Sequence, residues 1–275
     1  MKNVTLIAYL DIKESIRAKW FLVYSFVFGG LIALFFIAGV TESQVMGFSG
    51  LSRLLLMYIQ VTIVILPIFI LITTVRSISG DRDNHILEYM LSFPISLAQY
   101  YWGKIIGRFA TVFLPVFLAM IIALVVGFFK GASIPWSIFL LYTGLLFSLS
   151  SAFLGIAFFI SSIVKSSEVA LGLSFFVWIF LLAFLDIALI SLMMQNRVSQ
   201  ELIIFASLIN PMEIFRVAAI SLFDPELTVM GPVAFYILDS IKHTTFILFS
   251  IGYPILLGLG FAFMGYSIFK KTDLV

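Results

Sequence analysis

The chain contains no cysteine and only two histidines, His85 and His243. The first absence excludes disulfides, thiolate metal sites and cysteine nucleophiles. The second leaves haem ligation and multi-histidine metal centres short of ligands. Charge is scarce too: 11% of the 275 residues are charged, against about 25% in a soluble domain. The formal net charge of +2 gives no argument for nucleic acid, and no such partner is expected.

Other absences concern chemistry. There is no HExxH, no pair of acids within one apolar run, and no Ser/His/Asp set that can be placed together. No catalytic residue is assigned, and no metal site. Nor is there a GxxxxGK[ST] stretch, so the chain cannot cradle nucleotide phosphates in the P-loop manner.

Long uncharged runs take up most of the sequence. Hydrophobic residues make up 62% of it, with a mean hydropathy of +1.18. About 20 apolar residues at 1.5 Å rise cross a hydrocarbon core. Six runs meet that length: 20–40, 54–75, 109–129, 136–164, 169–194 and 245–268. The fold class expected is an all-α integral membrane protein, with 1–275 as one transmembrane domain. The first run, Trp20 to Val40, is longer than the roughly 7–15 residues of a signal h-region and reads as a retained anchor.

Lys and Arg in the flanks set the orientation. With the N-terminus inside, the inner flanks hold Lys2, Lys13, Arg17, Lys19, Arg76, Arg82, Lys104, Arg108, Lys165, Lys270 and Lys271. The outer flanks hold Arg53, Lys130, Arg197, Arg216 and Lys242. Both termini are therefore expected in the cytoplasm, with 77–104 in an inner loop and 195–244 outside. The N-terminal stretch 3–18 is expected to be a weakly amphipathic helix along the inner surface.

The outer segment carries a helix start at Asn210-Pro211-Met212-Glu213. Asn210 suits the cap, Pro211 the first helical position and Glu213 the capping-box carboxylate. Two short helices follow, about 199–208 and 211–222, which read as membrane-surface caps or as a substrate or partner site.

An ionisable residue inside a span is a functional hypothesis, and Asp186 is the one such residue in the six runs. It either hydrogen-bonds a neighbouring helix or lines a substrate path. Ser148, Ser150, Ser151 and Gly155 form a small-residue stretch, which serves helix packing or a polar lining; Ser148, Ser151 and Asp186 are the candidate path residues. Met46, Met193, Met194, Met212 and Met230 fall on the outer side, but without His or Cys beside them they read as packing rather than as a Cu(I) site. Pro67 and Pro115 sit inside spans, where each can kink a helix.

The inner loop is more than a connector. In "SGDRDNHILEYMLSFPIS" the residues Ile86, Leu87, Met90 and Leu91 occupy one helix face, Phe93 extends it, and Pro94 stops it. Ser96 then caps a second helix that runs into the third span. The apolar face must be buried, either in the lipid interface or in a groove on another protein.

Asp81-Arg82-Asp83, Leu87-Glu88, Pro94 and Gly103-Lys104 together resemble the inner loop of ABC-2 type transporter permeases. Those read acid-Arg-acid, Gly-Thr-Leu-Glu, a leucine-rich turn, proline and a later Gly-Lys. Here His85 stands for the usual glycine and Ile86 for the usual threonine. The resemblance extends in outline over the whole chain. "NPMEIFRVAAI" and "VMGPVA" narrow it to the branch that serves nitrous oxide reductase maturation.

The resemblance implies two copies of the chain in a bacterial inner membrane. It implies two ATPase subunits on separate chains, which carry ATP and Mg, while this chain binds no cofactor. The coupling residues would be Asp81, Arg82, Asp83, Ile86, Leu87, Glu88, Met90, Leu91 and Pro94. A periplasmic partner would dock near Asn210, Pro211, Glu213 and Arg216, and a sulfur species would be handled for copper-site assembly. Two other classes stay as alternatives. An ion-coupled secondary transporter should show charge pairs in its spans, and often an inverted repeat, which is not evident here. An anchor or assembly subunit of a redox complex should show span histidines where it binds haem.

Overall fold

The computed structural model describes residues 2–17, 19, 22, 23, 25–27, 30, 50–129, 136–185, 187, 188, 191, 200–222 and 242–272. Among these the chain is all-helical, as expected where no water is available to satisfy backbone N–H and C=O groups. The elements are α1 (Lys2–Arg17), α2 (Gly50–Thr74), α3 (Arg76–Asp83), α4 (Ile86–Leu91), α5 (Leu97–Phe129) and α6 (Trp136–Ile163). Then come α7 (Ser167–Ile179), extended by a π-helical turn at Phe180–Phe184, and α8 (Gln200–Ile209), α9 (Pro211–Ser221) and α10 (His243–Thr272).

Among the described residues, five helical stretches are long and apolar enough to cross a membrane: Ile59–Asp83, Leu97–Ile122, Trp136–Ile163, Ser167–Phe184 and His243–Thr272. The run 20–40, expected as a further span, falls mostly outside the described residues. Pro67 and Pro115 both lie within uninterrupted α-helices.

The centre of the bundle is α6, buried along its length from Tyr142 to Ser162. Its small residues make this possible. Gly155 lies directly against the backbone of Gly258 on α10, so neither position has room for a Cβ. Ser148 Oγ donates to the carbonyl of Ile251 at 2.6 Å and also reaches that of Ser250. The serine–glycine stretch is thus the seam between α6 and α10. Helices α2, α7 and α9 close around α6.

Helix α1, the helix expected over 3–18, packs beside the first turns of α5. Asn3 hydrogen-bonds Gln99 and the Pro94 carbonyl, Ile7 fits against Gly103, and Ala8 and Asp11 fit against Gly107. Steps of four on one helix match steps of four on the other, so the two run side by side in one direction. A Cβ on Gly103 would come within 2.8 Å of Ile7, which gives the glycine of the Gly103-Lys104 pair a steric reason.

The segment between α7 and α10 holds the two short helices expected. Asn210 caps α9 by accepting from Met212 N at 3.0 Å, with Pro211 at its start. Surface placement is corrected for α9: every residue but Arg216 is buried, against α2, α6, α8 and α10. Its all-round filling with Met, Ile, Phe, Val and Ala suits an interior helix.

Candidate functional site

At the end of the bundle that carries the 76–108 loop, α3, α4, α5 and the α6–α7 turn meet. Helix α3 continues α2 through Val75, whose N–H bonds Leu71 O. Ser161 of α6 accepts from the N–H groups of Ile78 and Ser79, both at 3.0 Å. This fixes the start of the acid-Arg-acid triplet.

The three side chains then diverge. Asp81 is buried and accepts from Tyr100 Oη and Lys104 Nζ on α5. Lys104 also donates to Ser77 O at 2.8 Å, which explains the lysine after Gly103. Arg82 donates to Ser162 O at 3.0 Å, at the end of α6, and its guanidinium sits 5.5 Å from the ring centre of Phe269 on α10. Asp83 accepts from Ser167 N at 3.0 Å, at the start of α7. Three consecutive residues thereby hold four long helices.

A second charged pair lies beside the first. Arg108 Nε approaches Asp11 Oδ1 of α1 to 3.1 Å, though the N–H is not aimed along the contact. The same guanidinium reaches Ser15 Oγ and the Thr73 carbonyl, so it joins α1, α2 and α5. Burial raises the Asp11 carboxyl above its ordinary value, against the opposing pull of Arg108 and then Lys104.

Helix α4 begins at His85, whose φ of 56° is left-handed. That region favours glycine, which accounts for the glycine usual there in the resembling loops. His85 Nδ1 lies 3.1 Å from Glu88 Oε2, on the exposed side. The apolar face read from the sequence divides. Leu87 is 5% exposed, and Met90 and Leu91 are half-buried against the chain's own core. Ile86, Tyr89 and Phe93 are the exposed ones, at 44%, 65% and 47%. Tyr89 and Phe93 meet edge to face at 5.3 Å. Pro94 follows, exposed, and Ser96 caps α5 by accepting from Gln99 N.

The remaining candidates lie elsewhere. Ser148 sits in the α6–α10 seam. Ser151 donates to Phe147 O and lines a groove of about 360 Å³ whose walls include Trp102, Phe109, Phe147, Gly155 and Gly258. The groove is apolar apart from that serine. Asp186 lies outside the described residues, as do Met46, Met193, Met194 and Met230. Asn210, Pro211 and Glu213 are buried, and Glu213 pairs with Arg216 at 2.6 Å. Of those four, Arg216 alone reaches the surface. Sequence reasoning missed Tyr100, Ser161, Ser167 and Phe269. The available signal was a tyrosine four residues before Lys104, on the same helix face.

A model of the family described as "ABC-2 family transporter protein" matches residues 5–274. Two curated proteins are similar over most of their length, and each is named "Probable ABC transporter permease protein NosY". One, from Stutzerimonas stutzeri, is 25% identical over 248 residues, covering 84% of this chain and 86% of that protein. The other, from Pseudomonas aeruginosa, is 24% identical over 243 residues, covering 82% and 84%.

Proposed function

The chain belongs to the ABC-2 transporter family, and from that premise we propose that it is the membrane subunit of an ABC transporter whose ATP-hydrolysing subunits are separate chains. Two copies form the membrane part in the bacterial inner membrane, in contact with its lipid. Each copy has six spans, the first at 20–40, and both termini in the cytoplasm. The 76–108 loop faces the cytoplasm and α4 is the coupling helix. ATP and Mg belong to the ATPase. The relatives named NosY support a place in nitrous oxide reductase maturation, with a sulfur species moved or signalled for copper-site assembly and a periplasmic partner above.

The observation that carries this reading is α4 itself. It presents Ile86, Tyr89 and Phe93 to the outside on a support tied to four long helices. An exposed aliphatic–aromatic cluster on a short helix fits the helix-in-groove mode.

Co-purification of the ATPase tests it. Tyr89→Asp puts a carboxylate in the docked groove, where leaving it unpaired costs several kcal/mol out of about 8 kcal/mol for micromolar docking. Recovery of the ATPase should fall more than tenfold while the chain keeps its melting temperature. Leu91→Asp should also weaken docking, but with loss of the chain's own stability, because Leu91 is packed inward. Undiminished ATPase recovery with Tyr89→Asp removes the docking role from α4. ATP turnover by the isolated chain rejects the permease reading altogether.

A further inference from the structure

The groove of about 360 Å³ runs along the outside of the bundle between α5, α6 and α10. Its floor is the α6–α10 seam, where Gly155 and Gly258 put no side chain between the two backbones. Trp102, Ile106 and Phe109 form one wall, and Leu259 stands on the other. Ile106 and Leu259 are exposed, so the groove opens outward. Its lining runs from Trp102 to Phe109 on α5 and from Ile255 to Ala262 on α10. Seven steps of 1.5 Å make about 10 Å, less than half of a hydrocarbon core about 30 Å thick. The groove begins near the start of α5, on the side of the 76–108 loop. It therefore fits within the leaflet on that side.

Chemistry and size select the occupant. Ser151 Oγ already donates to Phe147 O of its own helix, so the walls hold no hydroxyl in need of a partner. A helix is about 10 Å across, and 10 Å of it displaces roughly 800 Å³, more than twice the groove. A helix of a second copy is too wide to enter; an extended hydrocarbon chain is not. At the loop end Trp102 meets Phe263 edge to face at 4.8 Å and lies 6.2 Å from Tyr266. Trp and Tyr favour the membrane–water interface, where an apolar ring with a polar tip is satisfied at both ends. Lys270 follows Tyr266 by one turn on the same face of α10 and is exposed. That step is about 6 Å, which places it in a headgroup layer about 5–7 Å thick.

We propose that the groove seats one acyl chain of an anionic phospholipid from the leaflet on the loop side, with the lipid phosphate on Lys270. The chain completes the packing over the two glycines, where an empty slot forfeits dispersion contacts. The site rests on the family's membrane setting, and neither on an ATPase nor on which side of the membrane the loop faces.

Native mass spectrometry of the full chain tests it, with dioleoyl phosphatidylglycerol and dioleoyl phosphatidylcholine added in equal amounts after detergent extraction. One phospholipid per chain should stay bound once the others are stripped. Phosphatidylglycerol should be retained about fivefold over phosphatidylcholine, the factor that roughly 1 kcal/mol per lysine gives. Lys270→Gln should abolish this preference and leave the number of bound lipids unchanged. Ser151→Phe fills the groove from its wall and should cut retention of both lipids about tenfold, because overpacking excludes the chain, at unchanged helix content by circular dichroism. If that variant does not fold, Ile106→Trp on the exposed rim fills the same space. Retention that the groove-filling variant does not lower overturns the proposal. So does a groove-filling variant that turns a dimer into monomers with its lipid still bound, which makes the groove a contact between copies. Equal retention of the two lipids by the unmodified chain, or a preference that survives Lys270→Gln, overturns the phosphate contact and with it the proposal.

Discussion

At Asp11 two charges meet where neither is well solvated. The residue is 2% exposed, its neighbour Arg108 lies 3.1 Å away, and the contact is not a well-aimed hydrogen bond. Burial outweighs the pull of the cation and raises the carboxyl above 3.8. The sign follows from linkage. A group with a raised folded value is favoured in its protonated form, so its contribution is complete below about 3.8 and lost as pH rises through the folded value. Asp11→Asn does not titrate. Its melting temperature relative to the unmodified chain should therefore climb from pH 4 toward pH 7. A difference that stays flat over that range shows that Asp11 ionises in the fold without cost. His85 carries a different kind of strain, in its backbone, at a place where resembling loops have glycine.

Among the elements, the α6–α10 seam is the least forgiving. A methyl on Gly155 runs into the backbone of Gly258, which has no side chain to turn aside. Overpacking of this kind costs about 1–3 kcal/mol or more. Gly172 on α7 is the matched control, because nothing lies within 4 Å of a Cβ built there. Gly172→Ala should be neutral or stabilising by up to about 1 kcal/mol, while Gly155→Ala should sharply cut the yield of monodisperse protein in size-exclusion chromatography. Equal yields would mean that the seam opens easily. The same scale shows what could be read in advance. Asn210 and Ser96 were legible as caps because a cap is written within four residues. The serine–glycine stretch was legible as a close helix contact for the same reason. Two features were not. The partners of the triplet 81–83 are distant in sequence, and only the fold brings Lys104, Ser162 and Ser167 to it. The burial of α9 was hidden because an interior helix and a surface helix can share one apolar face; the neighbours that cover the other faces come from α2, α6, α8 and α10.

For the whole molecule, the strongest expectation is topological. The described residues contain five membrane-length helices, and the cation distribution predicts that the 76–108 loop lies inside. With no native cysteine, single cysteines report cleanly. Leu202→Cys should react with an impermeant thiol reagent on intact cells, and Thr272→Cys only after lysis. Labelling of 272 but not 202 inverts the arrangement, and with it the side on which α4 could meet an ATPase.

The carboxylate that caps α7 also has a history in time. Asp83 precedes its client amide by 84 residues. At roughly 5–20 residues per second, ribosomes take about 4–17 seconds to cover that distance. The holder is therefore made, and α3 can already be seated at the membrane, before the helix it holds leaves the ribosome. A newborn α7 meets a waiting acceptor rather than an open end. A ribosome stalled with Ser167 just clear of the exit tunnel should show Asp83 engaged before the far half of α7 has emerged.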